Sequence, residues 1–134
     1  MTKKYVIIGA GIAGLSAAKA IRDNDRHGII DIFTSENNLP YSRPILTKAP
    51  FISFDPSRWT IYDQAWFDDN KITIHIDEKI SKIDTEDKLV LGDGVSFDYD
   101  KLILATGAES IRIPVPGADL PNVYTIRRSE DIIN

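Results

Sequence analysis

Three glycines, Gly9, Gly11 and Gly14, stand at the spacing G-x-G-x-x-G, and an acid, Glu36, follows them. The separation is about 20 residues, which suits the holding of a dinucleotide diphosphate at a helix N-terminus while a carboxylate takes ribose hydroxyls. Gly9 permits a tight turn, Gly11 lets the backbone approach a pyrophosphate, and Gly14 lets a helix pack closely on a strand. The free N–H groups at the start of that helix offer donors and positive partial charge to an anion. A carboxylate at Glu36 repels a 2′-phosphate, which disfavours NADP here. A bare motif is weak evidence, since a glycine-rich turn without a ligand can carry it, so its setting has to decide.

The surrounding elements supply that setting. Residues 4–9, KYVIIG, are a short apolar run ending in glycine, the pattern of a buried parallel strand. Residues 12–21 are dominated by Ala and Leu and predict a helix whose inner face Ala18 keeps small. Residues 29–34, IIDIFT, predict a second strand, so the motif lies in one βαβ unit that Glu36 closes. The opening MTKKYVIIGAGIAGLSAAKA can also be read as a secretory signal. Three glycines break its apolar core and it runs straight into a patterned domain, which favours a cytoplasmic protein.

Residues 37–56, NNLPYSRPILTKAPFISFDP, form a proline-punctuated loop too long for a plain connector. Ser57 is a candidate N-cap for a helix running to about Asp69, with Trp59, Trp66 and Phe67 at helical spacing as core. Residues 72–76 and 79–83 read as strands, Gly92-Asp93-Gly94 as a hairpin, and residues 102–105 as an apolar strand. The proline-rich tail offers one more strand at 123–126. The expected fold is α/β and Rossmann-like, with a central parallel sheet and a small antiparallel β-meander.

The 134 residues make about one domain, and 43% apolar with 27% charged residues marks a globular chain. A net charge of −4, with only Lys3-Lys4 and Arg127-Arg128 as basic pairs, argues against nucleic acid. No apolar stretch is long and pure enough to span a bilayer, so no membrane partner is expected. The lack of cysteine removes disulfides, thiolate metal sites and redox thiols. His27 and His75 have no second ligand at metal spacing, and no Ser–His–Asp set is supported. Asp68, Asp69, Asp93, Asp98 and Asp100 read as turn and surface acids.

The glycine motif does not separate FAD from NAD. Residues 39–48, LPYSRPILTK, resemble the PY-x-RP-x-L-[ST]-K loop of FAD-dependent, NAD(P)H-linked reductases. These form a branch of the pyridine nucleotide-disulphide oxidoreductase superfamily. They include rubredoxin reductases, ferredoxin reductases of oxygenase systems and the flavin portion of assimilatory nitrite reductases. YDKLILATGA, at 99–108, looks like the family's second flavin motif, and RIPVPG followed by VYTIR is similar to the segment leading out of its flavin half-domain. The resemblance covers nearly the whole chain and implies FAD as cofactor. It implies Gly9, Gly11 and Gly14 at the pyrophosphate, with the backbone N–H of Ile12 and Ala13. It places Ser35 and Glu36 at the adenosine ribose, and Arg43 and Lys48 toward pyrophosphate and flavin. The backbone of Ile80 would pair with adenine, and Ala105, Thr106 and Gly107 would lie against the cofactor. Lys48 is the candidate catalytic residue, because a reduced flavin gains negative charge that an ammonium stabilises.

Disulfide reductases of that superfamily carry a redox cysteine pair just after the first helix, and some peroxidase-like relatives a single cysteine. This chain has neither, so the resemblance points to electrons leaving the flavin directly for an outside acceptor such as an iron–sulfur protein. A full reductase of the family is about three times longer. The expectation is that residues 1–134 are the N-terminal part of an FAD-binding domain, with NAD-binding and C-terminal domains absent, so that NAD(P)H acts only through those. Such a chain would bind FAD weakly or not at all alone, would not oxidise NADH, and would expose apolar surface to a second chain or to its own copy. A non-enzymatic nucleotide-binding module and an assembly subunit with a vestigial site are the competing readings.

Overall fold

The computed structural model describes residues 1–48 and 54–133. In chain order the elements are β1 (Lys4–Ile8), α1 (Ile12–Asn24), β2 (Ile29–Phe33), α2 (Gln64–Asp69), β3 (Ile72–His75), β4 (Ile80–Asp84), β5 (Leu89–Gly92), β6 (Ser96–Asp98), β7 (Lys101–Leu104) and α3 (Glu130–Ile133). Short 3₁₀ turns cover Arg43–Thr47 and Pro56–Trp59.

Four strands pair in parallel in the order β3-β2-β1-β7, and β4-β5-β6 form a separate antiparallel meander. The expected parallel sheet and meander are both present. β1 and β2 are apolar because both faces are covered. On one face Ile7, Ile30 and Ile32 meet Leu15 and Ala18 of α1 and Phe67 of α2. On the other, Val6 and Phe33 meet Val90 of β5, with Ile80, Ile83 and Phe97 packed around them. Ala18 is fully buried, as a helix lying close on a sheet requires.

Three local readings need correction. No single helix runs from Ser57 to Asp69. Asp55 accepts from the backbone and hydroxyl of Ser57, which closes a 3₁₀ turn that ends when Thr60 bridges to Tyr41. The helix starts only at Gln64, where Asp63 caps it by accepting from Trp66 N at 2.9 Å. Trp59 therefore leaves the core and is 41% exposed, whereas Phe67 is fully buried and Trp66 partly so. Residues 123–126 are not a strand. Among the described residues they have no partner strand, and the carbonyl of Val123 is taken instead by the Arg112 side chain at 3.3 Å. Of the 37–56 loop, residues 49–53 lie outside the described residues.

Candidate functional site

The turn from β1 into α1 shows why its glycines differ. Gly9 has φ +106°, and a Cβ there would lie 2.0 Å from the carbonyl oxygen of Ala105, on the loop after β7. A Cβ on Gly14 would lie 2.0 Å from the carbonyl oxygen of Gly9. Both positions are closed to side chains by the protein's own backbone. Gly11 has φ −71°, and a Cβ there would meet nothing within 4 Å. Nothing in the fold asks for glycine at 11, so the space in front of it is the feature to explain.

Gly11 is also the N-cap of α1, and its carbonyl receives the first helical bond, from Leu15 N at 3.0 Å. The N–H groups of Ile12, Ala13 and Gly14 therefore have no partner within the helix. No acidic residue occupies the first turn and no side chain caps it. The macrodipole adds positive partial charge at that end.

Ile12 and Ala13 line a cavity of about 540 Å³. It is lined by residues 8–13, by Ala105, Thr106 and Gly107 on the adjacent strand end, and by Ser35, Glu36, Arg43, Lys79 and Ile80. The sequence singles out most of these residues from separate parts of the chain, and parallel pairing of β1 with β2 and β7 brings their C-terminal ends together. Gly14 faces the β1 turn rather than the cavity, in its packing role. Lys48 is exposed at the end of its 3₁₀ turn and is not part of the cavity wall.

Glu36 does not stand alone. Arg43 Nη2 donates to its Oε2 at 2.7 Å, and Tyr41 Oη donates to its Oε1 at 2.7 Å. The Glu36 side chain is 12% exposed. Among the described residues Oε2 accepts this one bond, which leaves acceptor capacity for a hydroxyl. Burial, reinforced by the bond to Glu36, raises the Tyr41 phenol above its usual value, so it stays a donor.

The tail supplies wall residues that the sequence pattern does not point to, Arg127 and Arg128. Arg127 Nε donates to the carbonyl of Ala108, and Arg128 Nη2 pairs with Glu109 at 2.8 Å. Their adjacency is the available signal, but a lone basic pair reads as a solvated face. Glu78 also lines the cavity, and among the described residues its Oε1 is buried without a hydrogen-bond partner. His75 is half-buried, pairs with Asp31 at 2.7 Å and stacks on Phe33. The described residues hold no cluster able to bind a metal and no helix long and apolar enough to cross a membrane.

Rhodocoxin reductase of Rhodococcus erythropolis is 41% identical over 125 residues, 91% of this chain and 29% of that protein. The crystal structure of NADH:rubredoxin oxidoreductase from Clostridium acetobutylicum superposes with a TM-score of 0.85 at 33% identity, over 99% of this chain and 34% of that one. A ferredoxin reductase structure from Rhodopseudomonas palustris gives 0.87 at 31% identity, over 97% and 32%. The chain thus spans about a third of the length of the relatives it matches. A family pattern covers residues 3–132, nearly the whole fold just described, and by it the chain belongs to the pyridine nucleotide-disulphide oxidoreductase family.

Proposed function

We propose that this chain forms the adenosine-diphosphate side of the FAD site of an NAD(P)H-dependent flavoprotein reductase. The observation that carries the reading is the open space at Gly11, beside the free N–H groups at the start of α1, in a cavity also lined by Ala105–Gly107. A diphosphate fits that space by charge and by donor geometry. In this reading Ile12 and Ala13 hold the diphosphate, Ser35 and Glu36 take the ribose, and the Ile80 backbone meets the adenine. Ala105, Thr106 and Gly107 flank the cofactor as it leaves toward the flavin. FAD would supply hydride acceptance from NAD(P)H and one-electron release. The chain's own residues bind, orient and shield it.

Arg43 and Lys48 are assigned the pyrophosphate and flavin side. For Arg43 the support is its place in the cavity wall; for Lys48 it is the sequence pattern alone. An external acceptor such as rubredoxin, ferredoxin or a nitrite reductase centre is proposed from the relatives, whose names include rubredoxin, ferredoxin and nitrite reductases. NAD(P)H would be engaged by parts of the relatives that this chain does not span.

A titration of the chain with ADP, FAD and FMN in turn, followed by NMR, tests the reading. ADP and FAD should compete for one weak, saturable site, while FMN, which lacks the adenosine half, should not displace them. Binding of FMN without ADP, or of neither adenine nucleotide, would overturn the assignment.

A further inference from the structure

We propose that Tyr41 is a positioning residue that couples docking of the C-terminal segment, residues 127–133, to occupancy of the adenosine end of the cavity. This rests on the nucleotide reading above and adds a linkage to it.

The Tyr41 side chain is buried at 5% exposure, and its hydroxyl joins two distant parts of the chain. It donates to Glu36 Oε1 at 2.7 Å and accepts from the backbone N–H of Ser129 at 2.8 Å. Arg43 spans the same gap. It forks onto Glu36 and donates through Nη1 to the carbonyl of Arg127 at 2.7 Å. Ser129 is fully buried, and Asn38 Nδ2 donates to its hydroxyl at 3.2 Å.

The two ends of this relay are anchored differently. Tyr41 sits on a fixed base: it bridges to Thr60, Ser42 N bonds Trp59 O at 2.9 Å, and Ile61 N bonds Pro40 O at 2.9 Å. The tail ends in the four-residue α3, none of it buried, whose start is closed by Asp131 accepting from the N–H groups of Arg127 and Arg128. Among the described residues, the bonds that tie it to the fold include those to Tyr41, Arg43 and Asn38, and those to Ala108 and Glu109 at the cavity rim.

Each bond in the series Ser129 N–H, Tyr41 O–H, Glu36 carboxylate polarises the next. A ribose hydroxyl donating to Glu36 fixes the carboxylate and so fixes both donors that hold the tail. The docked tail in turn completes the wall with Arg127 and Arg128. Coupling of this kind is reciprocal: the factor by which nucleotide favours the docked tail is the factor by which the docked tail favours nucleotide.

Amide hydrogen exchange on the chain, with and without saturating ADP, tests this. In the wild type ADP should slow exchange at residues 129–133 by about fivefold or more. Because the linkage is reciprocal, Tyr41→Phe should weaken ADP by the Tyr41 share of the same factor, up to about fivefold. In that variant the Ile12 and Ala13 amides should still respond to ADP, while the response of residues 129–133 should fall to the share that Arg43 carries alone. General destabilisation would speed exchange throughout both sheets without erasing the ADP effect on the tail. ADP protection of the tail as large in Tyr41→Phe as in the wild type would overturn the coupling through Tyr41. Ser129→Ala keeps the backbone donor and should keep the coupling; its loss there would also overturn it. If Tyr41→Phe does not fold, the Ser129 amide of the wild type decides, and an exchange rate indifferent to saturating ADP refutes the linkage. Absence of any ADP response in the wild type would refute the nucleotide reading itself.

Discussion

Replacing each motif glycine by alanine separates what the fold needs from what a ligand needs. In Gly14→Ala the new methyl would stand 2.0 Å from the Gly9 carbonyl oxygen, and in Gly9→Ala 2.0 Å from that of Ala105. Ordinary contact begins more than an ångström further out, and neither neighbour is a side chain that can swing away. Overpacking against an immovable neighbour costs about 3 kcal/mol, and the positive φ at Gly9 adds strain. Unfolding entropy of about 2 cal/mol/K per residue over 134 residues is about 0.3 kcal/mol/K, so each variant should melt about 10 °C lower. In Gly11→Ala the methyl meets open space at an ordinary φ. The poorer N-cap and the stiffer unfolded chain roughly offset each other, which keeps the melting temperature within about 3 °C. The same methyl should weaken ADP binding by about tenfold or more, because it fills the approach to the helix N-terminus. Thermal circular dichroism and ADP titration read the two quantities separately. A Gly11→Ala chain that melts as low as Gly14→Ala, or binds ADP like wild type, would refute the reasoning.

Other changes test the scaffold. Arg22 donates to the carbonyls of Asn70, Asp25 and Lys71 at 2.7, 2.9 and 2.8 Å, tying the end of α1 to the turn before β3. Arg22→Ala should cost about 2 kcal/mol in urea unfolding, and Arg22→Lys, lacking the fork, should recover less than half of it. Asp63→Ala should cost about 1 kcal/mol by uncapping α2, whereas Ser57→Ala, outside any α-helix, should cost under half of that. Several aspartates are held below their usual value of 3.8: Asp25 by the N–H of His27 and then by Tyr5, Asp84 by the N–H of Asp87, and Asp98 by Lys4. A carboxyl whose pKa is lower folded than unfolded contributes stability above the unfolded value and loses it as pH falls through the folded one. Melting temperature should therefore hold steady down to about pH 4 and decline below it. A decline that starts near pH 6, or an Asp25→Ala chain with an unchanged acid limb, would contradict these assignments.

Much of the fold is legible in the sequence because the signals are local and repeated. The apolar runs of β1 and β2, the glycine motif and the Ala-rich helix agree with one another, so the βαβ unit and the acid that closes it follow directly. The assembly of the cavity is legible only through resemblance, since periodicity does not say which strand ends share an edge. The misreadings arise where a long-range contact wins over local preference. Thr60 bridges to Tyr41, so the 57–69 stretch breaks and Trp59 turns outward. Residues 123–126 have strand-like side chains, but a strand exists only with a partner, and Tyr124 is 78% exposed. The roles of Tyr41 and Arg127 are hidden from the sequence because they depend on contacts across more than 80 residues of chain.

The expected exposure of apolar surface is visible in the tail, where Ile111 is 88% and Ile113 69% exposed. Clustered apolar side chains of this kind mark a surface that a second copy of the chain can cover. Sedimentation of the chain over a range of concentrations should show self-association, and a strict monomer at all concentrations would contradict it.

The most direct measurement is residue-resolved mapping of ADP on the isotopically labelled chain. The amides of Gly11, Ile12 and Ala13, with those of Glu36, Ile80 and Thr106, should shift together along one saturable curve. Shifts confined to other surfaces, or a silent helix N-terminus at saturating ADP, would contradict the claim that the space at Gly11 is reserved for a diphosphate.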